Sequence, residues 1–215
     1  MHVFQRCRSV ACTAAQVLEP ENRSTFDKTY AMEFEATLLK ELRKRFQSYR
    51  DLGEKALIQL KHEHLHKVTG EGDNSIYVIV RHMSGNLQSR FTDFLSSDGE
   101  KPWRDRDREF EEQPMADLAE TMTVWNLGWD VLFKALNELK PEDLHRTIAI
   151  RGEVLTVPDA LLRQLSHHAY HVGQIVYLSK SFLSKDWQSL SIPKGQSRDF
   201  NEHMLKNRDG NHTSS

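Results

Sequence analysis

The chain has little cysteine and no long hydrophobic run. Its two cysteines, Cys7 and Cys12, both stand in the first dozen residues, before any segment with a core-forming pattern. They therefore cannot supply a disulfide framework for the fold. No apolar stretch approaches the roughly 20 residues that a membrane-spanning helix needs. We therefore expect a soluble, cytoplasmic protein rather than an integral membrane protein.

The chain also lacks an excess of charge of one sign. It has 29 basic and 31 acidic residues, which gives a formal net charge of -2 at pH 7. This balance provides no electrostatic reason to expect a nucleic acid or an anionic membrane as a partner. A length of 215 residues with 38% hydrophobic side chains suits one globular domain with a full core. The composition therefore favours a small neutral or mixed-charge substrate.

The two ends of the chain lack the periodic pattern of the middle. Residues 1–23 carry arginines and few acids, which is compatible with a targeting presequence, a disordered extension, or residues upstream of a domain that begins at Met32. We favour disorder at both ends. The predicted organisation is an extension over 1–31, one domain over 32–204 and a disordered tail over 205–215.

Four segments have the hydrophobic periodicity of long helices. Their apolar residues recur every three or four positions, which places them on one helix face. The charged segment 98–112 has no such period, and we interpret it as a connection over the surface. The predicted helices span about 34–60, 75–95, 114–139 and 158–183.

A short β-hairpin is predicted between the third and fourth helices. Residues 147–157 alternate in polarity and turn around Gly152. An isolated hairpin is marginally stable, so it must pack on the helices. The predicted fold is therefore all-α, a four-helix bundle with a small β-hairpin between helices 3 and 4.

Two histidines of the predicted fourth helix have the spacing of metal ligands. His167 and His171 are four residues apart, so their imidazoles stack on one helix face. Neutral imidazole is a common ligand for zinc, nickel and iron. His82 of the predicted second helix can face this pair in a bundle. Three imidazoles leave coordination positions open, as in a catalytic metal site.

Histidines four residues apart need not bind a metal. A pair four residues apart arises by chance in a sequence with 11 histidines. His62 and His66 form such a pair, but with His64 they lie among charged residues at a helix end, which favours a solvated surface run over a metal buffer. His168 points about 100° away from the ligand face of its helix, so we place it outside the ligand set.

Polar and aromatic residues near these histidines are candidates for a substrate pocket. Trp125 and Trp129 would line a cavity or simply belong to the core. Arg90 would bind a substrate carboxylate or pair with an acidic side chain. Tyr170 would place a phenol near the metal, and Gln174 would hold a ligand histidine. The candidate pocket residues are Asn86, Arg90, Trp125, Trp129, Tyr170 and Gln174.

The order and spacing of these motifs resemble those of a known family. The segments that carry the resemblance are Ser75-Ile-Tyr-Val-Ile-Val-Arg-His-Met-Ser-Gly-Asn-Leu87 and His167-His-Ala-Tyr-His-Val-Gly-Gln174. They are similar to the helix 2 and helix 4 motifs of the DinB/YfiT-like metal-dependent proteins, and residues 89–110 and 187–195 resemble an uncharacterised branch. The resemblance spans roughly residues 33 to 202. It implies a four-helix bundle, a divalent metal held by His82, His167 and His171, and often a homodimer.

The resemblance also implies a chemistry. Characterised members include S-transferases that use bacillithiol and isomerases that use mycothiol, in which the metal activates the thiol. A metal-bound thiol is deprotonated and remains a nucleophile near neutral pH. The leading hypothesis is an enzyme that uses Zn²⁺ or Ni²⁺ to activate a low-molecular-weight thiol or water, as an S-transferase or hydrolase. The alternative is a non-catalytic, stress-related binding protein that its metal stabilises.

Overall fold

A computed structural model describes the backbone of residues 20–211 and the side chains of residues 30–206. Within that part, the structure is mostly helical with one two-stranded antiparallel sheet, as the sequence predicts. The helices are α1 (Pro20–Leu57), α2 (His62–Leu65), α3 (Ile76–Phe91), α4 (Leu118–Glu138), α5 (Val157–Leu183) and α6 (Ser197–Asn211). The strands are β1 (Thr147–Ile150) and β2 (Glu153–Thr156), and 3-10 helices lie at Asp107–Phe110, Pro141–His145 and Ser184–Asp186.

The four long helices enclose one hydrophobic core. α3 packs against α4 and α1 against α5, while further contacts join α1 to α4 and α3 to α5. The largest fully buried side chains come from α1, α2, α3 and α4, and include Phe46, Tyr77, Trp125 and Trp129. Among the helices described, none is long and apolar enough to cross a bilayer.

α1 is longer than the predicted first helix. It begins at Pro20 rather than near residue 34, and among its described side chains the first buried apolar one is Leu39. Proline suits a first helical turn, where its missing N–H is not needed, and residues 21–33 contain no glycine or second proline to stop the helix. The apolar period of the sequence therefore predicts only the part of α1 from residue 34 on. The predicted extension over 1–31 is helical from Pro20 on, and residues 1–19 with both cysteines lie outside the described part.

Polar caps fix where α3 and α4 begin. The Ser75 hydroxyl caps α3, and it accepts a hydrogen bond from the backbone N–H of Val78 at 3.2 Å. The Asp117 carboxylate accepts from the N–H of Glu120 at 2.9 Å. This cap places the start of α4 at Leu118, a few residues later than predicted.

β1 and β2 form the predicted hairpin. Its turn residues Arg151 and Gly152 both have positive φ, 55° and 77°, as a type I′ turn requires. The Asp98 carboxylate accepts hydrogen bonds from both of their backbone N–H groups, each at 2.8 Å. Because these groups and the N–H of Glu100 donate to it, the pKa of Asp98 lies below its ordinary value. The register pairs Thr147 with Thr156, Ile148 with Leu155, Ala149 with Val154 and Ile150 with Glu153.

The connection between α3 and α4 lies largely on the surface, as its charge predicts, but two of its charged residues do not. Lys101 and Glu109 are buried, and the 3-10 helix Asp107–Phe110 contacts α3. The Lys101 ammonium donates to the Ser97 hydroxyl at 2.6 Å. Charged residues can be buried when each finds a partner, and such partners form only in the tertiary structure. More than half of residues 98–112 are exposed, so the prediction of a surface connection is correct except at these buried positions.

α6 reaches beyond the predicted end of the domain. Its helical backbone runs to Asn211 and so includes residues 205–211, which the sequence assigns to a disordered tail. Its described side chains are exposed, and Arg198 and Glu202 form an ion pair at 4.0 Å across one helical turn, a spacing that supports isolated helices. Residues 212–215 lie outside the described part.

A close crossing of α3 and α4 fixes the position of the histidine-bearing face of α3. A Cβ atom added at Gly128 would lie 2.7 Å from the Cα of Ser84. The hydroxyl of Ser84 donates to the backbone carbonyl of Val124 at 2.7 Å. Only glycine at position 128 allows the two backbones to approach this closely.

Candidate metal centre

Three histidines from two helices converge on one point. His82 lies on α3, and His167 and His171 lie one turn apart on α5. One ring nitrogen from each lies within 4.8 Å of those of the other two, and the Nε2 atoms of His82 and His167 are 3.4 Å apart. Within the described residues, this is the one group of at least three histidine, cysteine or acidic side chains that is close enough to share a metal ion.

Glu109 fixes the orientation of His82. The Nδ1–H of His82 donates to the Oε2 of Glu109 at 3.0 Å, and both side chains are buried. Since a carboxylate only accepts, this bond leaves the Nε2 of His82 as a free lone pair directed at the cluster. A carboxylate in this position is a common support for a metal-binding histidine.

Arg104 in turn holds Glu109. Its guanidinium donates to both carboxylate oxygens, from Nε at 2.7 Å and from Nη2 at 2.8 Å. Burial by itself raises the pKa of Glu109, but the hydrogen bonds and charges of Arg104 and His82 outweigh it, and the pKa stays below its ordinary value. Glu109 is therefore a carboxylate, and the chain Arg104–Glu109–His82 runs from a cation to the cluster.

Gly85 leaves the space that Glu109 occupies. A Cβ added at Gly85 would lie 2.7 Å from the Cδ of Glu109, and closer still to its Oε1. Gly85 stands within α3, three residues after His82, where a glycine has no conformational reason to be. Its lack of a side chain lets the Glu109 carboxylate reach His82.

His171 has its own partner on α5. Its Nδ1–H donates to the side-chain oxygen of Gln174 at 2.8 Å, so its Nε2 is a free lone pair. This Nε2 is buried and has no hydrogen-bond partner, and the same holds for the Nδ1 of His167. Two buried ring nitrogens are therefore left without a partner in the protein.

The imidazoles of α5 are neutral near physiological pH. Burial, followed by the neighbouring His168, His171 and His82, lowers the pKa of His167 to about 2. Burial also lowers the pKa of His171 to about 4, and the hydrogen bond to Gln174 only partly offsets it. Neutral imidazole is the form that binds metals.

The donor set fits a divalent transition metal. In a tetrahedral zinc site with bonds of about 2.0–2.1 Å, two ligand atoms lie about 3.4 Å apart, and the His82–His167 separation equals this value. Two of the three histidines have the opposite ring nitrogen held by Glu109 or Gln174. The unpartnered buried Nε2 of His171 and the supported rings of His82 and His171 fit a three-histidine metal site.

Of the six predicted pocket residues, Tyr170 and Gln174 lie against the cluster. The Tyr170 ring contacts those of His167 and His171, with centroids 5.2 and 4.2 Å apart. Tyr170 is 53% exposed, so it covers the cluster on its solvent side.

The other four predicted pocket residues are buried. Trp125 and Trp129 belong to the core, where the Trp129 ring packs on His168. The guanidinium of Arg90 pairs with Glu100 at 3.1 Å and also donates to the carbonyl of Gly99. The side-chain oxygen of Asn86 is buried without a hydrogen-bond partner.

The histidines at positions 62, 64 and 66 do not converge on one point. His64 and His66 make separate contacts with other parts of the protein. His64 Nδ1 accepts from the backbone N–H of Lys61 at 3.1 Å. His66 contacts the Glu112 carboxylate at 3.2 Å and the carbonyl of Ala116 at 2.8 Å. These contacts join α2 to its own N-terminus and to the segment before α4, and they give His64 and His66 partners within the protein.

Arg104, Glu109 and Gly85 are the site residues for which sequence reasoning assigned no function. Both charged residues lie in a segment of alternating charges, which gives no sign of burial. Gly85 could have indicated a buried contact, because an isolated glycine inside a helical pattern often marks a place where another segment packs closely on the helix. The segment that approaches it is known only from the fold.

A family model with the description "Protein of unknown function (DUF1572)" matches residues 33–196. The matched range includes all three histidines and the segment that carries Arg104 and Glu109. No curated protein and no solved structure matches the chain.

Proposed function

Because the chain belongs to the DUF1572 family of proteins, which is DinB-like, we propose that it is a divalent-metal protein with His82, His167 and His171 as ligands. One observation carries the proposal: three imidazoles bring one ring nitrogen each within 4.8 Å of the others. We extend the family likeness to the architecture, and propose that α1, α3, α4 and α5 form a four-helix bundle of the DinB type.

We propose Zn²⁺ or Ni²⁺ as the metal, because imidazole suits both ions. When bound, either ion would supply a Lewis acid that lowers the pKa of a thiol or water at an open coordination position. The protein residues supply the rest. Glu109 and Gln174 direct two of the ligand nitrogens, and Tyr170 and Phe110 shield the ligand rings from water.

The proposed activity is the activation of a small thiol or water, as in an S-transferase or hydrolase. The described residues include no fourth histidine, cysteine or acidic side chain within reach of the cluster. The nearest carboxylate, that of Glu109, is taken by Arg104 and His82. A three-ligand site leaves room for an exogenous ligand, which is the mark of catalytic metal sites. The resemblance to thiol-dependent DinB/YfiT-like proteins favours a thiol as that ligand.

Metal content tests the ligand assignment. Purified tag-free protein is loaded with Zn²⁺, dialysed and measured by mass spectrometry, beside the variants His82→Ala, His167→Ala and His171→Ala. We expect one ion per chain in the wild type and loss of stoichiometric binding in each variant. The matched control is His62→Ala/His66→Ala, which removes a histidine pair of the same spacing and keeps its metal. Full retention of metal in His171→Ala contradicts the assignment.

A second measurement separates an enzyme from a protein that metal merely stabilises. Addition of a thiol to the metal-loaded protein changes the coordination of the ion if a position is open. A closed site gives no such change, and chelation then lowers the melting temperature without affecting any activity. The second result supports the non-catalytic alternative.

A further inference from the structure

The solvent edge of the histidine cluster carries a cation. Phe110 packs on the His82 ring with centroids 4.9 Å apart. The guanidinium of Arg106 lies over the Phe110 ring, 5.0 Å from its centroid. Arg106 is exposed, and so is Tyr170, whose ring contacts the other two histidines. A guanidinium and a phenol therefore stand at the rim of one cluster.

Neither group has a polar partner among the residues that the structure describes. Arg106 makes a ring contact and no ion pair, although acidic residues precede and follow it. Asp105 instead accepts a hydrogen bond from the backbone N–H of Arg108 at 3.1 Å, and Glu109 faces Arg104 and His82. The Tyr170 hydroxyl has no hydrogen bond in the described part. Two donors at the rim are thus available to a ligand.

The two groups border the same three histidines. Tyr170 contacts the rings of His167 and His171, and Arg106 lies over Phe110, which packs on the ring of His82. A guanidinium presents its N–H groups in a planar fork that matches a carboxylate, and a phenol can donate a further hydrogen bond.

We infer that the substrate carries a carboxylate, which Arg106 and Tyr170 bind at the rim while another atom of the molecule reaches the three histidines. This inference rests on the proposed metal centre. It adds a substrate class to it, because a neutral thiol of the same size would leave the guanidinium without a counter-charge. Arg106 is then a specificity-determining residue rather than a ligand of the metal.

The test uses Co²⁺ as a visible substitute metal and two small thiols as probes. The first probe, 3-mercaptopropionate, carries a carboxylate, and the second, 3-mercaptopropionamide, is its neutral counterpart. The visible spectrum of cobalt changes when the ion binds to the protein, and it changes again when a thiolate binds to the cobalt. We expect the wild type to bind the carboxylate thiol about fivefold more tightly, the upper range for an exposed ion pair.

Two variants test whether Arg106 and Tyr170 cause the preference for the carboxylate thiol. Arg106→Ala is expected to bind both thiols equally, and Tyr170→Phe to keep part of the preference. Arg108→Ala is the matched control, because it removes the same charge from an exposed side chain two residues further along the chain, and it retains the full preference.

Each other outcome is decisive. Equal binding of both thiols by the wild type, or an unchanged preference in Arg106→Ala, overturns the inference and leaves the metal centre standing. A cobalt spectrum that neither thiol alters overturns both the inference and thiol activation. Failure to take up cobalt overturns the metal centre, and the inference with it.

Discussion

Replacement of Glu109 by alanine removes the group that joins Arg104 to His82. The side chains of Arg104 and Glu109 are only 2% and 10% exposed, so the variant leaves a buried cation without its partner. It also leaves the Nδ1–H of His82 without its acceptor at 3.0 Å. The variant therefore affects the stability of the fold and the geometry of the metal site through one side chain.

The two effects have separate magnitudes. Breaking a buried ion pair by removal of one partner costs about 3–5 kcal/mol, a large part of the roughly 5–15 kcal/mol that stabilises a typical domain. Loss of the support of a ligand histidine lowers metal affinity about 10- to 100-fold. Urea unfolding of the metal-free protein measures the first effect, and competition with a chromophoric chelator measures the second.

Two milder variants keep the result interpretable if Glu109→Ala folds poorly. Glu109→Gln keeps an acceptor for His82 but removes the negative charge, so it should retain more metal affinity than alanine does. Gly85→Ala keeps both charges and places a Cβ 2.7 Å from the Glu109 Cδ, which pushes the carboxylate away from His82. Unchanged metal affinity in all three folded variants would refute the assignment of Glu109 as the support of His82.

Three further predictions concern the fold around the site. Gly128→Ala forces apart the backbones of α3 and α4 at Ser84 and should lower the free energy of unfolding by about 1–3 kcal/mol, and an unchanged urea midpoint contradicts the close crossing. Ser75→Ala removes the cap of α3 and should cost about 1 kcal/mol, measured in the same way with Ser189→Ala as an exposed control. Asp98 has a lowered pKa in the folded state, so its stabilising bonds are complete above the ordinary carboxyl pKa of about 3.9 and are lost as pH falls through the folded value. The stability difference between wild type and Asp98→Ala should therefore shrink toward low pH, and a difference that grows on acidification contradicts this sign.

Hydrophobic periodicity was sufficient to predict the long helices. The apolar stripes locate α3, α4 and α5 to within a few residues, because each buries one face against the same core. The β-hairpin was also predictable, since alternation around Gly152 is a local signal. The start of α1 was not, because the regular apolar period of the sequence begins only at Phe34.

The charged part of the site depends on contacts that the sequence does not encode locally. His167 and His171 share a helix, so their spacing alone indicates that they are neighbours. Glu109 lies 27 residues after His82, in a segment whose composition resembles a solvated loop. Its burial follows from the partners it meets after folding, Arg104 and His82, and from the missing side chain of Gly85. Such a constellation is found only when the fold brings the segments together.

The measurement that tests the metal centre most directly is X-ray absorption at the metal edge of the zinc-loaded protein. We predict a first coordination shell of three imidazole nitrogens and one exogenous ligand, with zinc–nitrogen distances of about 2.0–2.1 Å. Addition of a small thiol should replace the exogenous ligand by one sulfur at about 2.3 Å. A shell with fewer than three imidazoles would contradict the central claim that His82, His167 and His171 hold the metal.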